Sequence, residues 1–260
     1  MKSLLTKIAL AAFAIALPLG ASAHAAETVK VGISAEPYPP FSQPDASGNW
    51  SGWEIDIMHA VCKQADLDCK ITPVSWDGII PALKSGKIDM IFNSMSITAD
   101  RKKEIDFSEK YYQTPAIVVG QKSEDFKPTK DGMDGKYLGV QVSTIHETYA
   151  RKHFPGASLK VYQQQDEANQ DLVSGRIDAT LADALALQPF LDSDQGKACC
   201  EMKGKVDPDA DVLGTGIGAG FRKGDDDLKK KVNAAIDAIR QNGTYKKISD
   251  KYFDFDIYGG

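Results

Sequence analysis

Arg101 closes a run of small polar residues, Asn93-Ser94-Met95-Ser96-Ile97-Thr98-Ala99-Asp100-Arg101, that follows the apolar stretch 88–92. Short hydroxyls, free backbone N–H groups and a planar, permanently charged guanidinium are what a small carboxylate requires of its host. The same residues also fit a plainer reading, a Ser/Thr helix cap followed by a surface arginine in a salt bridge. Asp183 has the complementary chemistry. It follows the apolar stretch 177–182 and could accept an ammonium, or it could simply cap the helix that comes next.

Taken together, a guanidinium and a carboxylate at the ends of different strands describe the two poles of an α-amino acid zwitterion. Tyr38 and Trp76 would supply flat apolar faces for the side chain between those poles, although both could be packing aromatics. Ser94 and Ser96, with Asn93, Ser143 and Thr144, are small polar candidates for the same site; Thr144 could equally be only a cap. Glu36 and His146 complete the candidates, with solvated-loop and helix-surface readings beside them. No nucleophile–base–orienter set is evident, and the sequence calls for neither a metal nor a cofactor.

These side chains must be placed by strands and helices. Val29-Lys30-Val31-Gly32-Ile33 alternates and is β-branched, which predicts a strand. Glu36-Pro37-Tyr38-Pro39-Pro40-Phe41 is barred from helix by its prolines and must be a rigid loop. Helical spacing of Ile55, Met58, Val61 and Cys62 predicts a helix over 54–65. A strand over 70–74, a helix over 76–84 and a strand over 88–92 complete a β-α-β-α-β series, the signature of a parallel sheet with helices on its faces. A second series follows a fresh strand at 116–119, with strands at 137–142, 159–162 and 177–182 and helices at 144–153, 167–174 and 184–190.

The two series echo one another. Leu83-Lys84-Ser85-Gly86-Lys87-Ile88-Asp89 and Leu172-Val173-Ser174-Gly175-Arg176-Ile177-Asp178 both read as helix, glycine stop, basic residue, Ile-Asp, strand. Two lobes of similar build are expected, with ligand groups gathered beyond the carboxyl ends of the strands. The glycine-spaced segment 212–221 lacks the Lys-Ser/Thr ending of a phosphate loop and is read as a strand. Helices are predicted over 227–241 and 245–252.

Composition narrows the function classes. Lys2 and Lys7 precede an apolar run at 8–19 that is short for a bilayer span, and Ala21-Ser22-Ala23 and Ala23-His24-Ala25 are small-x-small cleavage sites. Residues 1–26 are therefore read as an export signal. The formal charge is −5, and removal of Lys2 and Lys7 leaves 29 basic residues against 36 acids, or −7. That excess argues against nonspecific nucleic-acid binding. In an oxidising compartment Cys62 and Cys69 could pair; a metal site is disfavoured because no second Cys pair lies nearby. For Cys199-Cys200 a vicinal bridge, two free thiols and an intermolecular bond all remain open.

The chain resembles the periplasmic solute-binding proteins for polar amino acids, above all the lysine/arginine/ornithine-, histidine- and octopine/nopaline-binding proteins. The likeness rests on Tyr38-Pro39-Pro40-Phe41, Gly52-Trp53-Glu54-Ile55-Asp56, Ser94-Met95-Ser96-Ile97-Thr98 with Arg101, Gly175-Arg176-Ile177-Asp178-Ala179, Gly243-Thr244-Tyr245 and the ending Lys251-Tyr252-Phe253-Asp254-Phe255-Asp256-Ile257-Tyr258-Gly259-Gly260.

The resemblance implies an α/β two-lobe fold of the second periplasmic-binding type with a two-strand hinge. Lobe I would hold 27–113 plus 216–260 and lobe II 114–215. It implies that Arg101 binds an α-carboxylate with help from Ser96 and the backbone near Thr144. Asp183 and Ser94 would bind the α-ammonium, Tyr38 and Trp76 would sandwich the side chain, and Cys62 and Cys69 would form a disulfide. It further implies a monomeric, non-enzymatic periplasmic protein that serves an inner-membrane ABC transporter permease and carries a basic amino acid or an opine. Two rival expectations share the fold, an exported cyclic-acid dehydratase using Glu36 or His146 as acid and a sensor subunit presenting its ligand to a receptor. The family commonly has an acid three residues before the Tyr, where this chain has Ala35. Asn93 replaces a common Ser, and Gln141-Val142-Ser143-Thr144-Ile145-His146 replaces a loop richer in Gly and Thr.

Overall fold

The computed structural model describes residues 26–259; the export signal expected at 1–26 lies outside them apart from Ala26. The alternating first stretch forms β1 (Glu27–Ser34), with Val29, Val31 and Ile33 buried. The proline loop, with Pro39–Pro40 in cis, leads to a two-residue hairpin, β2 (Gln43–Pro44) and β3 (Trp50–Ser51). Next come α1 (Trp53–Gln64), β4 (Leu67–Val74), a 3-10 turn at Trp76–Gly78 and α2 (Ile79–Lys84). β5 (Met90–Ile91), α3 (Ala99–Glu104) and β6 (Asp106–Phe107) complete the first part.

The chain then crosses to β7 (Ala116–Gln121), β8 (Tyr137–Gln141), α4 (Ile145–His153), β9 (Ser158–Tyr162), α5 (Gln165–Val173) and β10 (Ala179–Asp183). α6 (Ala184–Asp192), α7 (Asp194–Cys199) and β11 (Cys200–Lys205) follow. It returns through α8 (Ala210–Leu213) to β12 (Gly220–Phe221), α9 (Asp226–Gln241) and α10 (Thr244–Ser249).

Two five-stranded sheets result, in the orders β4-β1-β5-β12-β6 and β11-β7-β10-β8-β9. Each is built on three parallel strands with the first of its series in the middle: β1 between β4 and β5, and β8 between β9 and β10. Each adds an antiparallel neighbour to its third parallel strand, β12 beside β5 and β7 beside β10. The expected α/β fold with two lobes is therefore present. Apolar cores lie within them, one set around Trp53, Met58, Ile236 and Leu83, the other around Leu138, Tyr149, Leu181 and Leu187, and Ala186 of α6 packs into the first set.

The sequence echo has a structural cause. Gly86 and Gly175 both take left-handed backbones (φ 76° and 71°), which a side chain would disfavour, and so end their helices. Lys87 N–H then reaches back to Ala82 O (3.0 Å) and Arg176 N–H to Asp171 O (2.9 Å). In the next step Asp89 accepts Lys30 N–H (3.0 Å) and Asp178 accepts Tyr137 N–H (2.7 Å). Each aspartate thereby clips the third strand of its lobe to the first.

The two chain crossings pair with each other. Tyr111 N–H donates to Ile217 O (2.8 Å), Ile217 N–H to Tyr112 O (2.9 Å), and Val206 N–H to Ala116 O (3.2 Å). The glycine-spaced segment read as one strand over 212–221 is not one. It holds the end of α8, two isolated bridges at Ile217, to Ser96 and to Tyr112, and only two strand residues, Gly220 and Phe221. Its length serves the crossing rather than a sheet. Likewise the strand expected over 88–92 pairs only at Met90–Ile91, and 194–205, unassigned by periodicity, forms α7 and β11.

Candidate functional site

A cavity lies between the lobes, beyond the carboxyl ends of β1, β5, β8 and β10. Its lining includes Glu36, Tyr38, Trp76, Asn93, Ser94, Ser96, Arg101, Thr144, His146 and Asp183. Ser143, expected among them, is exposed and outside the lining; only its carbonyl reaches the cleft wall. Ser34, Gln141, Ile145, Gln165 and Ala182 also line the cavity and were not singled out by sequence.

Arg101 sits in the first turn of α3, where its backbone N–H is capped by Thr98 Oγ1 (3.2 Å). Its guanidinium donates to Ser96 O (3.2 Å) and, across the cleft, to Ser143 O (3.5 Å). It also stacks on Trp76, 5.3 Å from the ring centroid. Among the described residues it meets no carboxylate within salt-bridge distance. Loss of hydration lowers its pKa to about 10, with Asp183 opposing the shift, so it stays charged at neutral pH.

Thr144 caps α4, accepting Glu147 N–H (3.1 Å), while Glu147 in turn accepts Ser143 N–H (2.8 Å). Together the two bonds fix the helix start. The open N–H groups of the α4 first turn thus stand on the lobe facing Arg101, an arrangement suited to an anion. Trp76 Nε1–H donates to Ser143 O (3.3 Å), so the indole touches both lobes.

The opposite wall is acidic. Asp183, 7% exposed at the end of β10, accepts the Tyr38 hydroxyl proton (2.7 Å) on one oxygen. Its other oxygen lies 3.6 Å from His146 Nε2, which is buried and makes no hydrogen bond among the described residues. Burial, then the Asp183 charge, pushes the Tyr38 hydroxyl pKa well up. Ser94 has a left-handed backbone (φ 47°) and Ser143 another (φ 58°); both flank the cleft, where such strain tends to collect.

Sequence reasoning missed Glu54 behind this wall. The glycine before α1 explains its position: a side chain on Gly52 (φ 130°) would fall 2.3 Å from Phe41 O. That close approach lets Trp53 and Glu54 N–H groups bond to Pro40 O and Phe41 O (2.9 and 3.0 Å). Glu54 is 1% exposed and accepts the backbone N–H of Ser94 (2.6 Å), the Ser94 hydroxyl (2.9 Å) and the Tyr111 hydroxyl. A sequence signal existed, since Glu54 shares the helical face of Met58, Val61 and Cys62 at spacings of four, seven and eight.

At the far end of the cavity Glu36 is half-buried and uses one oxygen to accept both the Ser34 hydroxyl and Trp76 N–H (3.2 Å). Asn93 Oδ1 accepts Ser34 N–H (2.9 Å), tying the ends of β1 and β5 together. Away from the cleft, Cys62 and Cys69 are bonded, and so are the adjacent Cys199 and Cys200. No cluster of His, Cys, Asp and Glu suited to a metal occurs among the described residues.

Comparison with known proteins agrees with this architecture. The L-arginine-binding protein of Pseudomonas aeruginosa is 44% identical over 262 residues, covering 100% of this chain and 99% of that protein. The lysine/arginine/ornithine-binding periplasmic protein of Escherichia coli (strain K12) is 38% identical, covering 94% and 95%. A solved ancestral arginine-binding protein bound to arginine superposes with a TM-score of 0.79 at 33% identity, covering 88% of this chain and 100% of that one. The family model for bacterial extracellular solute-binding proteins, family 3, matches residues 29–255, and the chain belongs to that family.

Proposed function

We propose that the protein is the periplasmic binding component of an ABC transporter and carries an α-amino acid with a basic side chain, or an opine built on one. The observation that carries this reading is an unmatched pair of opposite charges. Arg101 has no carboxylate partner and Asp183 no Lys or Arg partner among the described residues, and they face one cavity from different lobes. A zwitterion satisfies both: its carboxylate takes the guanidinium and the α4 N–H groups, and its ammonium takes Asp183 and Ser94. Trp76 and Tyr38 would hold the side chain between them. The free oxygen of Glu36 would meet a distal cation, in keeping with the arginine, lysine and ornithine in the names of the relatives.

Capture would proceed by closure of lobe I (27–113 plus 216–260) on lobe II (114–215) about the paired crossings. A ligand favours the closed form only through contacts it makes there and not in the open form. Exclusion of water at closure strengthens both ionic contacts. The protein would act as a monomer in the periplasm, free of its leader, and hand the ligand to the inner-membrane permease. Calorimetric titration of unfolded, ligand-stripped and refolded protein against the common amino acids and several opines tests the reading. Tight binding of one basic ligand recovered unchanged is expected. Absence of binding by every α-amino acid and opine would overturn it, and conversion of a cyclic acid would replace it.

A further inference from the structure

Glu54 is a fully buried carboxylate with no Lys or Arg partner among the described residues. Burying an unpaired charge is expensive, and such groups persist where something else holds them. Three donors converge on it: Ser94 N–H, the Ser94 hydroxyl and the Tyr111 hydroxyl. A neutral carboxyl would have to donate one proton itself, so this set suits the ionised form.

The Ser94 hydroxyl has one proton, and it points at Glu54. What remains toward the cavity is an oxygen that can only accept. Tyr38 is in the same condition, because its proton goes to Asp183. The wall of the cavity formed by Ser94, Tyr38 and Asp183 therefore presents acceptors alone, and an ammonium, which has donors alone, is the complementary group. The negative charge of Asp183 raises the Glu54 pKa in addition to the larger effect of burial. A cation seated against Ser94 and Asp183 offsets that repulsion.

We propose that Glu54 is the positioning residue of the ammonium end, turning the Ser94 hydroxyl into an obligate acceptor for the ligand α-nitrogen and placing a second negative charge behind it. The assignment rests on the clamp proposed above. It explains why a charged residue occupies the apolar face of α1 and why Ser94 holds a left-handed backbone: that turn brings its N–H and its hydroxyl onto one carboxylate.

The test compares L-arginine with 5-guanidinopentanoate, which is arginine without its α-amine. Glu54→Gln keeps the shape of the side chain and removes the charge. It should weaken arginine binding by about tenfold or more, the usual scale for a lost charged hydrogen-bond contribution, and leave 5-guanidinopentanoate within about twofold. Ser94→Gly keeps the left-handed turn and leaves α1 untouched, so it reads the same end if the α1 variant folds poorly. It should show the same selective loss, and the double variant should lose little more than either single one. Equal losses for both compounds, or none for either, would overturn the role of Glu54 while leaving the clamp standing. Equal affinity of the unaltered protein for the two compounds would overturn the clamp and this assignment with it.

Discussion

The third parallel strand of each lobe is reached by the same device and followed by opposite chemistry. Before β5 and before β10 a helix ends at a left-handed glycine, and an aspartate clips the strand to its neighbour. Beyond β5 the chain runs through a Ser/Thr loop to Arg101; β10 itself ends at Asp183. The repeated part is structural, because it fixes where both strands start and how each is tied to the first strand of its lobe. The divergent part begins immediately after, where the backbone is released from the sheet and side chains can be chosen for charge. Two copies of one scaffold thus hold a cation and an anion face to face.

The sharpest way to break that comparison is to remove one pole. Arg101→Ala and Asp183→Ala should each cost about 2–5 kcal/mol of arginine affinity, the range for truncating one side of a buried ion pair, with the melting temperature of the empty protein little changed. Unchanged affinity for either variant in calorimetry would mean that the poles are not used together.

The two disulfides set a second contrast between the lobes. Cys62–Cys69 spans seven residues in lobe I, whereas Cys199–Cys200 joins neighbours in lobe II. On loop-closure entropy the first should contribute roughly 2–3 kcal/mol and the second much less, since neighbours are already held together. Paired alanine variants compared by urea denaturation should fall in that order.

The clipping aspartates should be near-equals. Asp89→Ala and Asp178→Ala each remove the acceptor of one strand N–H and should destabilise by about 1 kcal/mol. Asp89 also faces Arg222 (3.4 Å), so its variant should be the slightly worse one. A large loss from one and none from the other would show that the two lobes do not share the device.

The smallest expected effect is a pH slope. Burial, opposed by the Tyr111 and Ser94 hydrogen bonds, raises the Glu54 pKa above its ordinary 4.5. A carboxyl whose folded pKa is raised binds its proton more tightly in the folded state. Its favourable contribution is therefore complete below 4.5 and is lost as pH climbs through the raised value. Over that window the ligand-free protein should lose stability with rising pH, and Glu54→Gln should lack that component. Arginine affinity should rise over the same window, as Glu54 ionises. Parallel pH profiles for the two proteins would contradict this.

Much of this arrangement was legible in the sequence because it depends on periodicity and on rare residue types. Val29, Val31 and Ile33 announce β1, and a guanidinium after Ser-Met-Ser-Ile-Thr stands out by chemistry. The paired Gly-basic-Ile-Asp steps mark two related lobes in the sequence itself. What escaped depends on contacts between distant segments. β6 and β12 have two residues each and exist only because they find partners in the sheet. The segment 212–221 looked like a strand because glycine and β-branched residues alternate there, but its course is set by the crossing. Ser143 is a small polar candidate in the sequence, and in the structure its carbonyl accepts from Trp76 and Arg101, contacts that come from positions far along the chain. Glu54 escaped because its three donors come from positions 94 and 111, far along the chain.

The indole of Trp76 gives the protein a built-in optical gauge. Its N–H ends on the Ser143 carbonyl of the opposite lobe, whereas Trp53 is sealed in a core and Trp50 belongs to the small hairpin. Of the three tryptophans in the chain, the one at position 76 changes its surroundings when the halves part. Its emission colour should follow opening and filling in real time without any attached dye, and a phenylalanine there should silence the signal.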